Sequence, residues 1–202
     1  IQVISFLEKM YETNKESHVL LIVPASLLGN WSKEIDKFAP RMTYHILHGK
    51  TNILDEDCFA TITTYGMALR MECLQERVWD CLILDEAQAI KNPGTKQTRA
   101  IKKIPSQMRI AMTGTPIEND LSNLWSLFDF LNKGLLGSAT DFKNYTKKVQ
   151  TYPEYMSKLK MMVSPFILRR LKTDKSIISD LPDKMEITEH VDLSKRQIVL
   201  YL

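Results

Sequence analysis

The run Trp79-Asp80-Cys81-Leu82-Ile83-Leu84 leaves a chain of this kind little choice of fold. From Cys81 to Leu84 it is apolar without alternation. A strand of that composition must be covered on both faces, which predicts a parallel sheet with helices on either side. Four more short apolar, β-branched runs are predicted as strands: Val19–Val23, Thr43–Leu47, Phe59–Thr63 and Arg109–Thr113. They alternate with helix-period segments, the order that builds a parallel α/β sheet with crossover helices. The 202 residues suffice for one substantial core, or for one lobe with an appended subdomain.

Ser26 is placed to cap a helix in which Leu28, Trp31, Ile35 and Phe38 recur at three- and four-residue intervals and which ends near Pro40. Leu121, Leu124, Trp125, Phe128 and Leu131 mark a second amphipathic helix, started by Asn119-Asp120 and stopped near Gly134. Their aromatic side chains are expected in the core. After Gly137 the texture changes to helices of mixed polarity, Ala139–Thr151 and Glu154–Met162, followed by Ser164-Pro165 and a basic segment. Met185–Val191 is expected as a last strand, and Ser194 as the cap of a final helix.

Composition excludes several classes. Cys58, Cys73 and Cys81 form no CxxC pair, and the four histidines have no zinc-binding spacing, so a reducing compartment and no structural metal are expected. No apolar run approaches membrane-span length, and Ile1–Met10 lacks the basic region and cleavage site of a signal peptide, so an intracellular protein with no membrane partner is expected. A formal charge of +3 does not by itself announce a nucleic-acid binder. Its distribution is more informative: Lys91–Met112 holds six basic residues and no acidic one, and Lys143–Lys175 holds nine basic against two acidic. These are either local positive patches or solvated helix faces.

The chemistry centres on Leu82-Ile83-Leu84-Asp85-Glu86-Ala87-Gln88, an apolar strand delivering two carboxylates at its C-terminal end, where open α/β sheets bind ligands. In nucleoside triphosphatases the first carboxylate holds the magnesium shell and the next orients or deprotonates the attacking water, so Asp85 and Glu86 are the candidates for those roles. Taken alone, such a pair also serves solubility or helix capping. A second strand ends in Thr113-Gly114-Thr115-Pro116, a small-residue loop able to pass close to a phosphate or a nucleic-acid backbone, or simply a strand-to-helix turn.

Several longer motifs then occur in order. Leu21-Ile22-Val23-Pro24-Ala25-Ser26-Leu27-Leu28 with Trp31 and Glu34 resembles motif Ia of the Swi/Snf branch of helicase superfamily two, and Ile62-Thr63-Thr64-Tyr65 resembles motif Ib. Asp85-Glu86-Ala87-Gln88 with Ile90-Lys91-Asn92 and Thr95-Lys96 resembles motif II and its extension. Thr113-Gly114-Thr115-Pro116-Ile117-Glu118-Asn119 with Leu121 and Leu124-Trp125 resembles motif III and the helix after it. Pro165-Phe166-Ile167-Leu168-Arg169-Arg170 with Lys172 and Leu181-Pro182 is similar to a segment particular to this branch. The resemblance spans nearly the whole chain.

The resemblance implies a RecA-like parallel sheet with flanking helices: a P-loop NTPase fold lacking its first strand and P-loop, plus a helical protrusion. Residues 1–134 would form lobe 1, 135–180 the protrusion, and 181–202 a return strand and the start of a linker to a second RecA-like lobe. It implies an ATP- and Mg2+-dependent motor in which two lobes close on ATP and ratchet along double-stranded DNA. Oligomeric state is left open. Asp85 would bind Mg2+ through ATP, Glu86 would act on water, and Pro24, Ser26, Thr63 and Thr64 would touch the phosphate backbone, with Lys91 a further DNA contact. Lys96, Arg169 and Arg170 would face DNA, the other lobe or water. Thr113, Gly114 and Thr115 would couple hydrolysis to DNA movement through Gln88. The family often has His where Gln88 stands; an amide both donates and accepts, so the relay is expected to survive. Taken alone, Ser26, Thr63 and Thr64 read as helix capping or ordinary strand threonine.

No GxxxxGK[ST] run occurs. Gly49-Lys50-Thr51 supplies the last three letters, but Tyr44 occupies the required earlier glycine position. In the family a Gly-Leu-Gly-Lys-Thr run commonly precedes a segment like Ile1-Gln2-Val3-Ile4. The chain is therefore expected to start one residue after that loop, with Ile1–Tyr11 as the following helix. By itself it is expected to bind ATP poorly and turn over negligibly, while its parent is an ATPase. The spelling suggests a bacterial protein of cytoplasm and nucleoid, or a nuclear one if eukaryotic. Two rival readings stand beside this one: another superfamily-two motor, such as an RNA helicase or restriction-enzyme translocase, and a catalytically silent module that docks DNA or protein.

Overall fold

A computed structural model describes residues 1–49, 53–114, 121–170, 185 and 187–189. The chain divides into two compact units, residues 1–152 and 153–202. The division falls inside the segment expected as a helical protrusion.

The first unit is built on five strands: β1 (Val19–Val23), β2 (Tyr44–Leu47), β3 (Ala60–Thr64), β4 (Trp79–Leu84) and β5 (Ser106–Ala111). All pairings are parallel and the spatial order is β2-β3-β1-β4-β5. Leu21 stands opposite Ile62 on one side and Ile83 on the other. All five residues of β1 are buried, as expected for a central strand covered on both faces.

Side-chain alternation divides this core in two. Val19, Leu21, Val23, Cys81 and Ile83 share one cluster with Ile4 and Leu7 of α1 (Gln2–Thr13) and Leu28 and Ile35 of α2 (Leu28–Phe38). Leu20, Ile22, Leu82 and Leu84 share the other with Tyr65, Met67 and Ala68 of α3 (Tyr65–Arg70), Ile101 of α4 (Lys96–Lys103) and Phe130 of α5 (Leu121–Leu131). Right-handed crossovers explain this distribution. The connection leaving β1 runs toward β2 and carries α2 on one face; those leaving β3 and β4 run the opposite way and carry α3 and α4 on the other face. The direction reverses between β1 and β4, so the crevice at their carboxyl ends is the switch point of the sheet.

The helix after Gly137 is α6 (Ala139–Thr151), with the residue range expected from sequence. Ser138 caps it, accepting from the Asp141 amide at 3.1 Å. The second unit contains α7 (Pro153–Val163) and a 3-10 turn, Ser164–Phe166.

Three expectations are corrected. Ser26 does not cap α2; it lies within a 3-10 turn, Ala25–Leu27, and the N-cap residue is Leu27, which makes no side-chain cap. Pro24 sets up that turn, its carbonyl accepting from the Leu27 amide at 2.9 Å. The last strand of the sheet is Ser106–Ala111 and not Arg109–Thr113, because pairing begins where Trp79 meets Ser106. An edge strand tolerates the exposed Gln107 and Met108 that disguised its start. Met185 and residues 187–189 carry no strand; the remainder of that expected strand, the final helix, Lys50, Thr51 and Asn119-Asp120 lie outside the described residues.

Candidate functional site

Strand β4 ends where its ladder passes to the turn. The Asp85 amide donates to the Ile22 carbonyl of β1 at 2.9 Å, the Met112 amide to the Leu84 carbonyl at 2.8 Å, and the Ala87 amide back to Met112 at 2.8 Å. In a continuing strand Asp85 and Glu86 would project to opposite faces. Glu86 instead takes the left-handed conformation, φ 51 and ψ 52, the one positive-φ residue other than glycine among the described residues. That costs roughly 1 kcal/mol or more for a residue with a Cβ and marks a position whose surroundings over-determine it. The chain then enters a 3-10 turn, Ala87–Ile90.

Both oxygens of Asp85 are held. Oδ1 accepts from the Glu86 amide at 3.0 Å, and Oδ2 accepts from the indole Nε1 of Trp31, on α2, at 2.8 Å. The Tyr65 hydroxyl, at the start of α3, donates to the Asp85 backbone carbonyl at 2.7 Å. Burial, reinforced by the charges of Asp85 and then Glu86, pushes the Tyr65 hydroxyl far up from its usual ionisation range. It is therefore a permanent donor at any physiological pH.

Glu86 heads a second chain of contacts. The Gln88 amide nitrogen donates to Glu86 Oε2 at 2.6 Å, and the Gln88 amide oxygen accepts from the Thr113 hydroxyl at 2.8 Å. Thr113 thus reaches the second carboxylate through one side chain, in a part-buried setting where hydrogen bonds of this kind carry more weight than in water.

The turn is anchored from behind. Ser126, fully buried on α5, donates to the Ile90 carbonyl at 2.6 Å and accepts from Lys102 of α4 at 3.1 Å. Lys102 also pairs with Asp129 at 2.8 Å. Arg109, its charge disfavoured by burial, donates to the carbonyls of Ile104 and Phe130 at 2.9 and 2.8 Å, tying the ends of α4 and α5 to β5.

The other candidates are distributed unevenly. Ser26 is exposed and Pro24 half-buried on the loop after β1, and Lys91 and Lys96 are exposed on the turn and α4. Gly114 is exposed; Thr115 lies outside the described residues. Arg169 and Arg170 are exposed in the second unit. Thr63 and Thr64, expected at the phosphate backbone, have both hydroxyls engaged within the protein. Thr63 is fully buried and donates to the Leu47 carbonyl at 2.8 Å, while Thr64 is 6% exposed and its hydroxyl caps α3 by accepting from the Met67 amide at 3.3 Å. Their hydroxyls are occupied within the protein because β3 is an interior strand.

Sequence reasoning placed Trp31 in the apolar spacing of α2 and in the motif Ia resemblance, and Tyr65 in motif Ib, and gave neither a role at the carboxylates. Tyr65 directly follows β3 and Trp31 lies on α2, the helix after β1; each ring carries a polar atom that needs an acceptor, and the packing of β1 between β3 and β4 brings both to Asp85.

The chain matches the SNF2-related domain family over residues 1–202. It is 38% identical over its full length to the ATP-dependent helicase/translocase candidate YwqA of Bacillus subtilis, covering 23% of that protein. It is 36% identical, over 86% of the chain, to the human DNA excision repair protein ERCC-6-like, covering 16% of that protein. The chain thus spans less than a quarter of the length of these relatives. Among solved structures, the Sulfolobus solfataricus SWI2/SNF2 ATPase core in complex with double-stranded DNA superimposes with a TM-score of 0.84 at 42% identity, over 99% of this chain and 43% of that one. The same core without DNA gives 0.80. The five-stranded parallel sheet with helices on both faces is therefore that of a SWI2/SNF2 ATPase core, and the chain belongs to the SNF2-related domain family.

Proposed function

We propose that this chain is the first ATPase lobe of a motor that uses ATP to move along double-stranded DNA. The observation that carries the reading is the hydrogen-bonded line Thr113–Gln88–Glu86, beside Asp85, at the switch point of the sheet. A residue at the carboxyl end of β5 is thereby wired to a carboxylate at the carboxyl end of β4, as a device that links hydrolysis to movement requires.

The donor set suits Mg2+. Among the described residues no group of three or more His, Cys, Asp or Glu could hold a metal ion by itself. Mg2+ is commonly held by one or two carboxylates together with waters and substrate phosphates, and Asp85 offers such a carboxylate. Bound Mg2+ and ATP would supply charge neutralisation and a cleavable phosphoanhydride bond.

The protein's own residues divide the remaining work. Asp85 presents a fixed carboxylate to the metal's water shell. Glu86 holds or accepts the proton of the attacking water at Oε1 or Oε2, and the Gln88 amide orients it by donating to Oε2. Thr113, with Gly114 and Thr115 after it, reports on the position of its loop through its hydroxyl on Gln88. Ser26 and the half-buried Pro24 turn supply an uncharged surface for a phosphate backbone, and Lys91 a positive charge, so that contact is made without reading sequence. Thr63 and Thr64 act indirectly, by fixing β2 and α3. A second RecA-like lobe completes the site, and the protein works where DNA is: in bacterial cytoplasm and nucleoid, or in a nucleus.

A third strand bound to duplex DNA tests this reading. The full-length protein should displace it with ATP and not with a non-hydrolysable analogue, while leaving the duplex paired. Failure to displace it would favour a docking module, and separation of the duplex would favour a strand-separating helicase.

A further inference from the structure

The Asp85 carboxylate is fixed by a residue that the roles above leave unused. The torsion that turns a carboxylate about its Cβ–Cγ bond is soft and two-fold, so geometry at the metal depends on what grips the oxygens. The Glu86 amide holds Oδ1 at 3.0 Å, but it is the next residue in the chain and follows any movement of Asp85. The grip on Oδ2 comes from elsewhere: the indole N–H of Trp31, at 2.8 Å, from α2. Trp Nε1 is a donor only and has no alternative role at this point. A carboxylate offers about four acceptor positions, so each oxygen retains one after these two bonds.

α2 begins immediately after the 3-10 turn Ala25–Leu27 that carries the exposed Ser26. One short helical turn therefore separates that surface from the residue that orients Asp85. Tyr65 provides a parallel tie from the start of α3, through the backbone carbonyl. The other two tryptophans are different in kind: Trp79 donates to the Leu74 carbonyl at 3.0 Å and Trp125 to the Gly137 carbonyl at 3.1 Å.

We infer that Trp31 is a positioning residue for the metal site: its indole N–H fixes the Asp85 carboxylate, so that Mg2+ affinity depends on the placement of the loop after β1. The inference rests on the assignment of Asp85 to the metal in the preceding section. Displacement of residues 24–28 by a bound phosphate backbone would move α2 and, through Trp31, the carboxylate plane. This gives DNA a route to the metal that does not pass through Gln88 and Thr113.

The test is the Mg2+ dependence of binding of a fluorescent ADP analogue to the full-length protein, by equilibrium titration, for the unsubstituted protein, Trp31→Phe and Asp85→Asn. Phenylalanine keeps an aromatic ring and deletes the donor. Trp31→Phe should raise the Mg2+ concentration for half-maximal binding about tenfold, as loss of one hydrogen bond to a charged group implies, and leave metal-free nucleotide binding unchanged. Asp85→Asn should raise it at least as far. A second readout needs no substitution at the site. With 15N-labelled tryptophan, the Trp31 indole resonance should shift on addition of Mg2+ and ADP while those of Trp79 and Trp125, assigned by Phe replacement, stay in place. An unchanged Mg2+ requirement in Trp31→Phe with a raised one in Asp85→Asn, or an unmoved Trp31 resonance, overturns the inference and spares the metal assignment. No effect in either variant overturns both.

Discussion

Replacing Gln88 tests the line from Thr113 to Glu86 at its middle. Gln88→Ala deletes two hydrogen bonds: a charge-assisted one to Glu86 at 2.6 Å and a neutral one from Thr113 at 2.8 Å. The first is worth about 1.5–3 kcal/mol and the second about 1 kcal/mol when fully desolvated. Gln88 is only half-buried, so water recovers part of each, and a net loss of about 1.5 kcal/mol corresponds to roughly tenfold in rate. Because the loss interrupts communication and spares both carboxylates, it should fall mainly on DNA-stimulated ATP hydrolysis and less on the basal rate. Gln88→His should recover most of the activity, since a neutral imidazole also both donates and accepts. Gln88→Glu should be worse than Ala near pH 8, because it sets a second carboxylate against Glu86. Steady-state turnover at saturating ATP, with and without duplex DNA, reads all of these. Equal loss of basal and stimulated rates in Gln88→Ala, or full activity in Gln88→Glu at pH 8, would refute the reasoning.

Three further outcomes follow from the packing around the site. Ser126→Ala leaves the Ile90 carbonyl without its buried donor and should cost about 1–3 kcal/mol in chemical denaturation, whereas a loss within 0.5 kcal/mol would mean that water or Lys102 replaces it. Thr63→Val should lower stability without selectively reducing DNA stimulation, because its hydroxyl is spent on Leu47; a selective loss of stimulation at unchanged stability would reinstate a DNA contact. Burial, followed by the charge of Asp80, pushes the Cys81 thiol up to about 12, against about 9 unfolded. The unfolded chain therefore releases that proton first. The stabilisation is fully present below pH 9 and declines through pH 9–12 by about 1.4 kcal/mol per pH unit. Cys81→Ala should flatten the alkaline fall in stability, and an unaltered slope would show that the thiol does not contribute.

What could be read in advance was whatever depended on local pattern. β4 is apolar from Cys81 to Leu84 and is an interior strand; α6 begins at a serine cap and has the boundaries its sequence suggested. That Asp85 and Glu86 stand just past the carboxyl end of a strand was legible from the apolar run before them. The misassignments share a different cause, namely tertiary partners. β5 starts early because Trp79 pairs with Ser106, which no periodicity within β5 reveals. Ser26 lost its capping role to a 3-10 turn set by Pro24. Thr63 and Thr64, which taken alone read as strand threonine and helix cap, have hydroxyl partners of that kind, and the position of β3 between β2 and β1 is what buries them. Trp31 fits the apolar spacing of α2, and its polar edge became informative only once β4 was placed beside β1.

The central claim is a DNA-dependent ATPase whose water-activating group is Glu86, and steady-state ATP hydrolysis by the full-length protein tests it most directly. The rate would be measured without nucleic acid and with duplex DNA, single-stranded DNA or RNA, with Glu86→Gln as the comparison. Strong stimulation by duplex DNA, abolished by the substitution while nucleotide binding persists, is the predicted result. Stimulation by RNA alone, or duplex-stimulated turnover that survives Glu86→Gln, would contradict the account.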